Sequence, residues 1–138
     1  MEKYAQYIID ILLSRDIPCL YNRDEMLVYS GSESPYGNTH SVYGCCDEIV
    51  RNTTIYDQWL SVPISKDIRT YLEKLNRQIS GGSFLTNPDM EYIVFSSEYV
   101  FSDTGLQAGS LDFTAFCLRP HDLFTCYRKT FYQMINPG

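Results

Sequence analysis

The chain has 138 residues, enough for a single domain (1–138) with a core of its own. Hydrophobic residues make up 44% of it and charged residues 20%, which excludes a disordered polar chain. The net charge of −6 and the scatter of the 11 Lys and Arg residues argue against binding to nucleic acid or to an anionic membrane. Because no apolar run approaches the roughly 20 residues that span a bilayer, the sequence predicts a cytoplasmic protein.

The first predicted element is a helix over residues 2–15, because apolar residues recur with the spacing of one helical face. Pro18 lies beyond its end and prevents its continuation. The residues on the apolar face are Tyr4, Ile8, Ile11 and Leu12.

A block of strands follows. The runs "CLY" and "MLVYS", separated by "NRDE", predict a hairpin, and residues 31–39 have the composition of a loop. Strand-forming residues fill 41–46 and 49–62. In the second of these runs, alternation places two sets of side chains on opposite faces. One set is Tyr56, Leu60 and Val62, and the other is Ile55 and Trp59.

The central helix is predicted to begin at Ser65 as N-cap, with Asp67 in the first turn, and to run for about 14 residues. Its apolar face comprises Ile68, Tyr71, Leu72, Leu75 and Ile79.

The pair Gly81-Gly82 after this helix could hold a phosphate or could end the helix. A phosphate loop lies between a strand and the N-terminus of the next helix, where amide groups and the helix dipole face the anion. Here the pair follows a helix C-terminus, and neither GxxxxGK[ST] nor GxGxxG occurs. The sequence therefore predicts a stop signal in which glycine takes the left-handed conformation.

The last third predicts a hairpin from Ser83 with its turn at 87–89, a loop over 103–110 and a weak further strand over 111–118. Pro120 suits the first position of a closing helix. The apolar face of that helix would comprise Leu123, Phe124, Tyr127, Phe131 and Met134. Strands in runs between an N-terminal, a central and a C-terminal helix predict an α+β fold with an antiparallel sheet.

The sequence contains no set of residues that matches a catalytic or a metal-binding motif. A catalytic cysteine needs a base, but His40–Cys45 and His121–Cys126 have spacings that match no motif. Among the residues of a conceivable metal site, the adjacent cysteines are poor geometry for a tetrahedral ion. That set is His40, Cys45, Cys46, Asp47 and Glu48. The sequence predicts no catalytic residue, no metal and no cofactor, and the odd count of five cysteines predicts reduced thiols.

The strand from Met90 has apolar side chains at both its even-numbered and its odd-numbered positions. A sheet with one face in water would carry polar residues at one of these two sets of positions. One interpretation is a central strand covered on both sides by the protein itself. The other is that helices cover one face and a second subunit or another protein covers the other. The two sets are Met90, Tyr92, Val94 and Val100 against Ile93, Phe95, Tyr99 and Phe101.

The segment "LEKLNRQISGGSFLTNPDMEYIVF" resembles the YbjN-like family, whose fold is shared with type III secretion chaperones. The match covers about residues 66–101, and elsewhere only the order of elements is similar. Residues 31–40 and 98–118 look like additions to the family pattern. The resemblance implies an α+β domain, often dimeric, that binds other proteins and offers no catalytic residues to carry over.

These observations predict a non-catalytic cytoplasmic protein-binding module, chaperone-like or regulatory, that forms a homodimer. Trp59, Tyr92 and Tyr99 are the predicted anchors on an aromatic sheet face, because Trp and Tyr dominate interface energetics. The acidic charge favours basic partners. Two alternatives are a small acidic immunity protein that inhibits a toxin, and a thiol-dependent enzyme built around Cys45 or Cys126.

Overall fold

The computed structural model describes residues 2–87, 89, 91–101 and 111–137, and the side chains of residues 2, 3 and 111 are not described. The described elements are α1 (Glu2–Ser14), β1 (Cys19–Asn22), β2 (Leu27–Ser32), β3 (Thr39–Cys46), β4 (Ile49–Tyr56), α2 (Val62–Asn76), β5 (Ser83–Thr86), β6 (Ile93–Val100) and α3 (Leu111–Ile135). This order confirms the predicted α+β class with N-terminal, central and C-terminal helices.

The described strands form one antiparallel sheet in the order β1-β2-β3-β4-β6-β5. Its middle strand β4 shows how the faces differ. Val50, Asn52, Thr54 and Tyr56 are buried, whereas Ile55 and the other residues between them are exposed. This period of two places one face of the sheet against the helices and leaves the other toward solvent.

All three described helices pack on the same face of the sheet, over two apolar clusters. The first cluster joins α1 and the start of α3 to β1–β4, and its largest buried side chains include Ile8, Leu12, Phe113 and Phe116. The second joins α2 and the rest of α3 to β5, β6 and the end of β4, and its largest buried side chains include Tyr56, Ile68, Phe84 and Phe131. Burial of aromatic rings dominates both clusters.

The connection from α2 to β5 corrects the predicted role of the double glycine. Gly81 does have a left-handed backbone (φ 78°), and a Cβ at Gly82 would collide with the Phe95 ring. The helix, however, already ends at Asn76 with Arg77 as its C-cap. Gly82 therefore serves the close approach of this connection to β6, and Gly81 serves its positive φ and its approach to the Arg119 side chain, rather than the termination of α2.

Two predicted boundaries between β4 and α2 are wrong. The strand predicted to reach residue 62 ends at Tyr56, and α2 begins at Val62 rather than after Ser65. Ser61 is the N-cap, and Pro63 lies in the first turn, where its missing N–H costs nothing. Ser65 is buried inside the helix, and its hydroxyl donates to the Val62 carbonyl.

The predicted strand over 111–118 is also wrong, because this segment is the start of α3. Pro120 lies inside that helix instead of opening it. The predicted loop over 103–110 lies outside the described residues. The buried side chains of α3 follow the helical period across the proline, which explains why one continuous helix forms. They are Phe113, Phe116, Cys117, Pro120, Phe124, Arg128 and Phe131.

Among the described residues, no helix combines the length and the apolar character that crossing a membrane requires.

Candidate protein-binding surface

The sheet face opposite the helices is called the open face here. It carries the even-numbered residues of β1, β3 and β6 and the odd-numbered residues of β2, β4 and β5, as the strand register requires. Its apolar side chains include Leu20, Tyr29, Val42, Ile55, Val94 and Leu85. A face of this composition in contact with water is uncommon in an isolated domain.

An apolar row crosses the open face from β4 to β5. Ile55 lies directly opposite Val94, and Val94 lies directly opposite Leu85. Val94 is only 8% exposed between its two neighbours, which are themselves 40% and 41% exposed. Cross-strand neighbours on one face touch each other, so these three side chains form one continuous patch.

The open face carries almost no net charge, although the chain as a whole carries −6. Arg51 and Glu98 are register partners whose Nε and Oε2 atoms are 3.3 Å apart, and both are largely exposed. Such a surface pair adds little to stability. It does cancel the charge of both residues within the face, so the charge that a partner meets is set at the ends of the sheet.

Acidic residues concentrate at one end of the sheet. The β1–β2 connection contains Asp24 and Glu25, and the β3–β4 turn contains Asp47 and Glu48. The β2–β3 register places both turns at the same end. Glu25 also accepts a hydrogen bond of 3.0 Å from the Tyr29 hydroxyl, which connects the acidic end to the open face.

The three predicted anchors do not lie on one surface. Trp59 is 60% exposed in the segment between β4 and α2. This segment contacts the turn that precedes Tyr92, because the Leu60 amide donates to the Glu91 carbonyl at 2.7 Å. Trp59 and Tyr92 therefore flank the same end of the sheet, the end at which Ile55 lies.

Tyr99 lies at the opposite end of β6 and faces the helices. Its ring packs against the rings of Phe101, Phe113 and Phe116, with centroids 4.9, 5.2 and 5.8 Å away. The same face carries Ile93, Phe95 and Ser97, and the open face carries Val94, Ser96, Glu98 and Val100. The apolar side chains at both parities of this strand thus divide into a mostly apolar inner set, interrupted by Ser97, and a mixed outer set.

The structure does not bring together either of the two histidine–cysteine pairs considered from the sequence. His40 and Cys45 point to opposite faces of β3. His121 and Cys126 are five residues apart on α3, so their side chains leave the helix about 140° apart. Burial raises the pKa of the Cys45 thiol, which disfavours the nucleophilic thiolate. The five cysteines all lie in the described part of the chain and are free.

Within the described ranges, no group of three or more His, Cys, Asp and Glu side chains is placed to hold a metal ion. Comparison with protein-family models gives no match, and comparison with curated proteins gives no significant one. The resemblance to the YbjN-like family therefore stays a prediction.

The sequence reasoning chose its anchors among aromatic residues alone, so the aliphatic members of the open face were not among them. Alternation along the strand had already placed Ile55 on the face opposite Tyr56, and this alternation could have identified Ile55 as a surface residue of the sheet. Leu85 and Val94 could not be joined to it, because the β4–β6–β5 pairing links segments separated by α2.

Proposed function

We propose that this protein is a non-catalytic binding module of the cytoplasm that recognises another protein through the open face of its sheet. The observation that carries the proposal is the apolar row of Ile55, Val94 and Leu85 on a face that the described helices leave uncovered. Removing apolar surface from water lowers the free energy by about 25 cal/mol per Å². A partner protein that covers this row would be stabilised on the open face by that burial.

The size of the face suits a protein partner. Six strands spaced about 4.8 Å apart give a width of about 24 Å, and eight-residue strands a length of about 26 Å, or roughly 600 Å². A standard interface buries about 800 Å² on each partner. Trp59 and Tyr92 beside the row supply further contact area at its edge, as proposed rim anchors.

The charge distribution describes the partner that fits best. Its surface would be apolar at the centre, to match the row, and would carry Lys or Arg opposite the turns that contain Asp24, Glu25, Asp47 and Glu48. Opposite charges at a rim raise the association rate and exclude acidic competitors. A regulatory or chaperone-like protein would use such a surface to hold a basic client.

The test compares two leucines with similar exposure on different surfaces. Leu85 is 41% exposed on the open face, and Leu13 is 53% exposed on α1. The tagged wild type, Leu85→Lys and Leu13→Lys would each be used to capture proteins from extracts of the source cells. We expect a captured protein that Leu13→Lys retains and Leu85→Lys loses, since lysine removes the apolar contact and repels a basic rim. Equal capture by both variants contradicts the proposal.

A second copy of this chain is the other occupant that the sequence predicts. Light scattering on the purified wild type, Leu85→Lys and Leu13→Lys distinguishes self-association from binding of a different protein. A dimer that only Leu85→Lys dissociates would assign the open face to self-association. A wild-type monomer would leave the open face to a different protein.

A further inference from the structure

A cleft of about 690 Å³ opens beside β2 at the point where its neighbour β1 begins. The register pairs Cys19, the first residue of β1, with Ser30, so Gly31 and Ser32 extend β2 beyond its partner. The chain between α1 and β1 forms the opposite wall, and His121 of α3 lines the cleft from the helix side. The volume lies within the range of small-molecule sites, about 300–1,000 Å³.

The part of the cleft that β2 and β3 form is called its floor and includes the polar residues Ser32 and Thr39, with Arg128 behind them. Arg128 is only 5% exposed, and its Nη2 atom donates to Ser32 Oγ at 3.2 Å and to Thr39 Oγ1 at 3.5 Å. Ser32 and Thr39 both line the cleft. Because each hydroxyl accepts from the guanidinium, its own O–H remains able to donate to a group in the cleft.

The charge of Arg128 is not matched by a carboxylate in direct contact. Among the described residues, the oxygens that accept hydrogen bonds from it are all neutral, and they belong to Ser32, Gly37, Thr39 and Phe124. Asp57 is near enough to favour the charged guanidinium, but its Oδ1 accepts from the Asn38 amide at 2.9 Å. A buried cation without a paired anion leaves a positive potential that extends toward the cleft.

His121 adds an unsatisfied polar atom at the same place. Its Nδ1 atom is buried and has no hydrogen-bond partner in the part of the chain that the structure describes. The side chain lines both the cleft and a void of about 10 Å³ beneath it. A ligand oxygen that reached this atom would give it the hydrogen-bond partner it lacks.

We propose that this cleft binds a small ligand through an anionic oxygen group, either a carboxylate or a phosphate. The hydroxyls of Ser32 and Thr39 donate to it, Arg128 supplies the charge behind them, and His121 lies beside it. The exposed Arg15, Asp16 and Glu33 also line the cleft, so its rim carries charges of both signs. This site is separate from the apolar row of Ile55, Val94 and Leu85 and does not depend on the protein partner proposed above, although Leu20 and Tyr29 of the open face also line the cleft.

The test is a titration of the isotope-labelled full chain with sodium phosphate and, separately, with sodium acetate at constant ionic strength, followed by amide chemical shifts. We expect saturable shifts at residues 30–33, 38–40 and 121 with at least one anion. Ser32→Ala should weaken that binding about tenfold, the usual effect of losing one hydrogen bond to an anion. Ser96→Ala, an exposed serine on the open face, should leave it unchanged.

Saturation by phosphate alone would indicate a phosphorylated ligand, and saturation by acetate would indicate a carboxylate. The proposal is overturned if neither anion gives saturable shifts at the cleft, or if Ser32→Ala binds as tightly as the wild type. His121→Gln provides a second variant whose weaker binding would identify the cleft even if Ser32→Ala disturbed the floor.

Discussion

The side-chain amide of Asn76, the last residue of α2, forms two hydrogen bonds of 2.8 Å with the backbone of Phe84. Its Nδ2 donates to the Phe84 carbonyl, and its Oδ1 accepts from the Phe84 amide. Phe84 lies in β5, one of the two edge strands of the described sheet. Asn76 thus takes the place of a further strand at this position and connects the end of α2 to the sheet.

Replacing Asn76 with alanine should lower the free energy of unfolding by about 2 kcal/mol, because two backbone groups at the edge of β5 lose their partners. Urea denaturation measures the change. Asn136→Ala is the matched control, since Asn136 is exposed after α3 and makes one bond of 3.2 Å. It should stay within about 0.5 kcal/mol of the wild type. Equal losses for the two variants would contradict the role of Asn76.

Gly37 should tolerate no side chain. Its φ is +98°, and a Cβ would lie 2.6 Å from Cε1 of the fully buried Tyr56, whose hydroxyl is held by the Tyr36 carbonyl. Gly37→Ala combines backbone strain with overpacking, and we expect a loss of about 2–4 kcal/mol in thermal or urea unfolding.

Gly44→Ala is the control for that change. Its Cβ would approach only the flexible end of Leu27, at 2.9 Å, and its backbone has no positive φ. We expect less than about 1 kcal/mol. If Gly37→Ala is as mild as Gly44→Ala, the contact between the 33–38 loop and Tyr56 is not as the structure has it.

The stability of the protein should depend on pH through His121. Burial lowers the pKa of this imidazole below 6.5, and the nearby Arg15 and Arg128 act in the same direction, whereas Asp122 opposes them. Below about pH 6.5 the unfolded chain binds a proton there that the folded chain does not, so stability falls as pH decreases toward the folded-state pKa.

Urea midpoints measured between about pH 7 and pH 5 test this dependence. His121→Gln should show a smaller decrease than the wild type. His40→Gln changes an exposed histidine of β3 and should retain the wild-type decrease. A decrease that survives in His121→Gln would assign the effect to other groups.

The sequence was informative where periodicity is long and the ends carry clear signals. The fold class and the core face of α2 follow from such patterns. The start of α3 did not, because Pro120 resembled a first-turn proline and separated Phe113 and Phe116 from Phe124. Proline in a helix removes one hydrogen bond. The burial of aromatic side chains on both sides of Pro120 outweighs that loss.

The candidate surface was less predictable than the fold, since it depends on strand pairing. The sequence placed Tyr99 among the anchors, whereas the register turns it toward α3. Leu85, in the short strand "SFLT", was not among the predicted anchors, yet it forms one patch with Ile55 and Val94. Helical faces are local and can be read along the chain, whereas a sheet surface is assembled from distant segments.

The most direct measurement of partner binding uses two thiols of the native protein. Cys46 is exposed on the open face, and Cys126 is exposed on α3. Their alkylation rates would be followed by mass spectrometry in the free protein and in the captured complex. We expect the partner to slow the alkylation of Cys46 several-fold and to leave Cys126 unchanged. Protection of Cys126 with an unchanged rate at Cys46 would contradict binding through the open face.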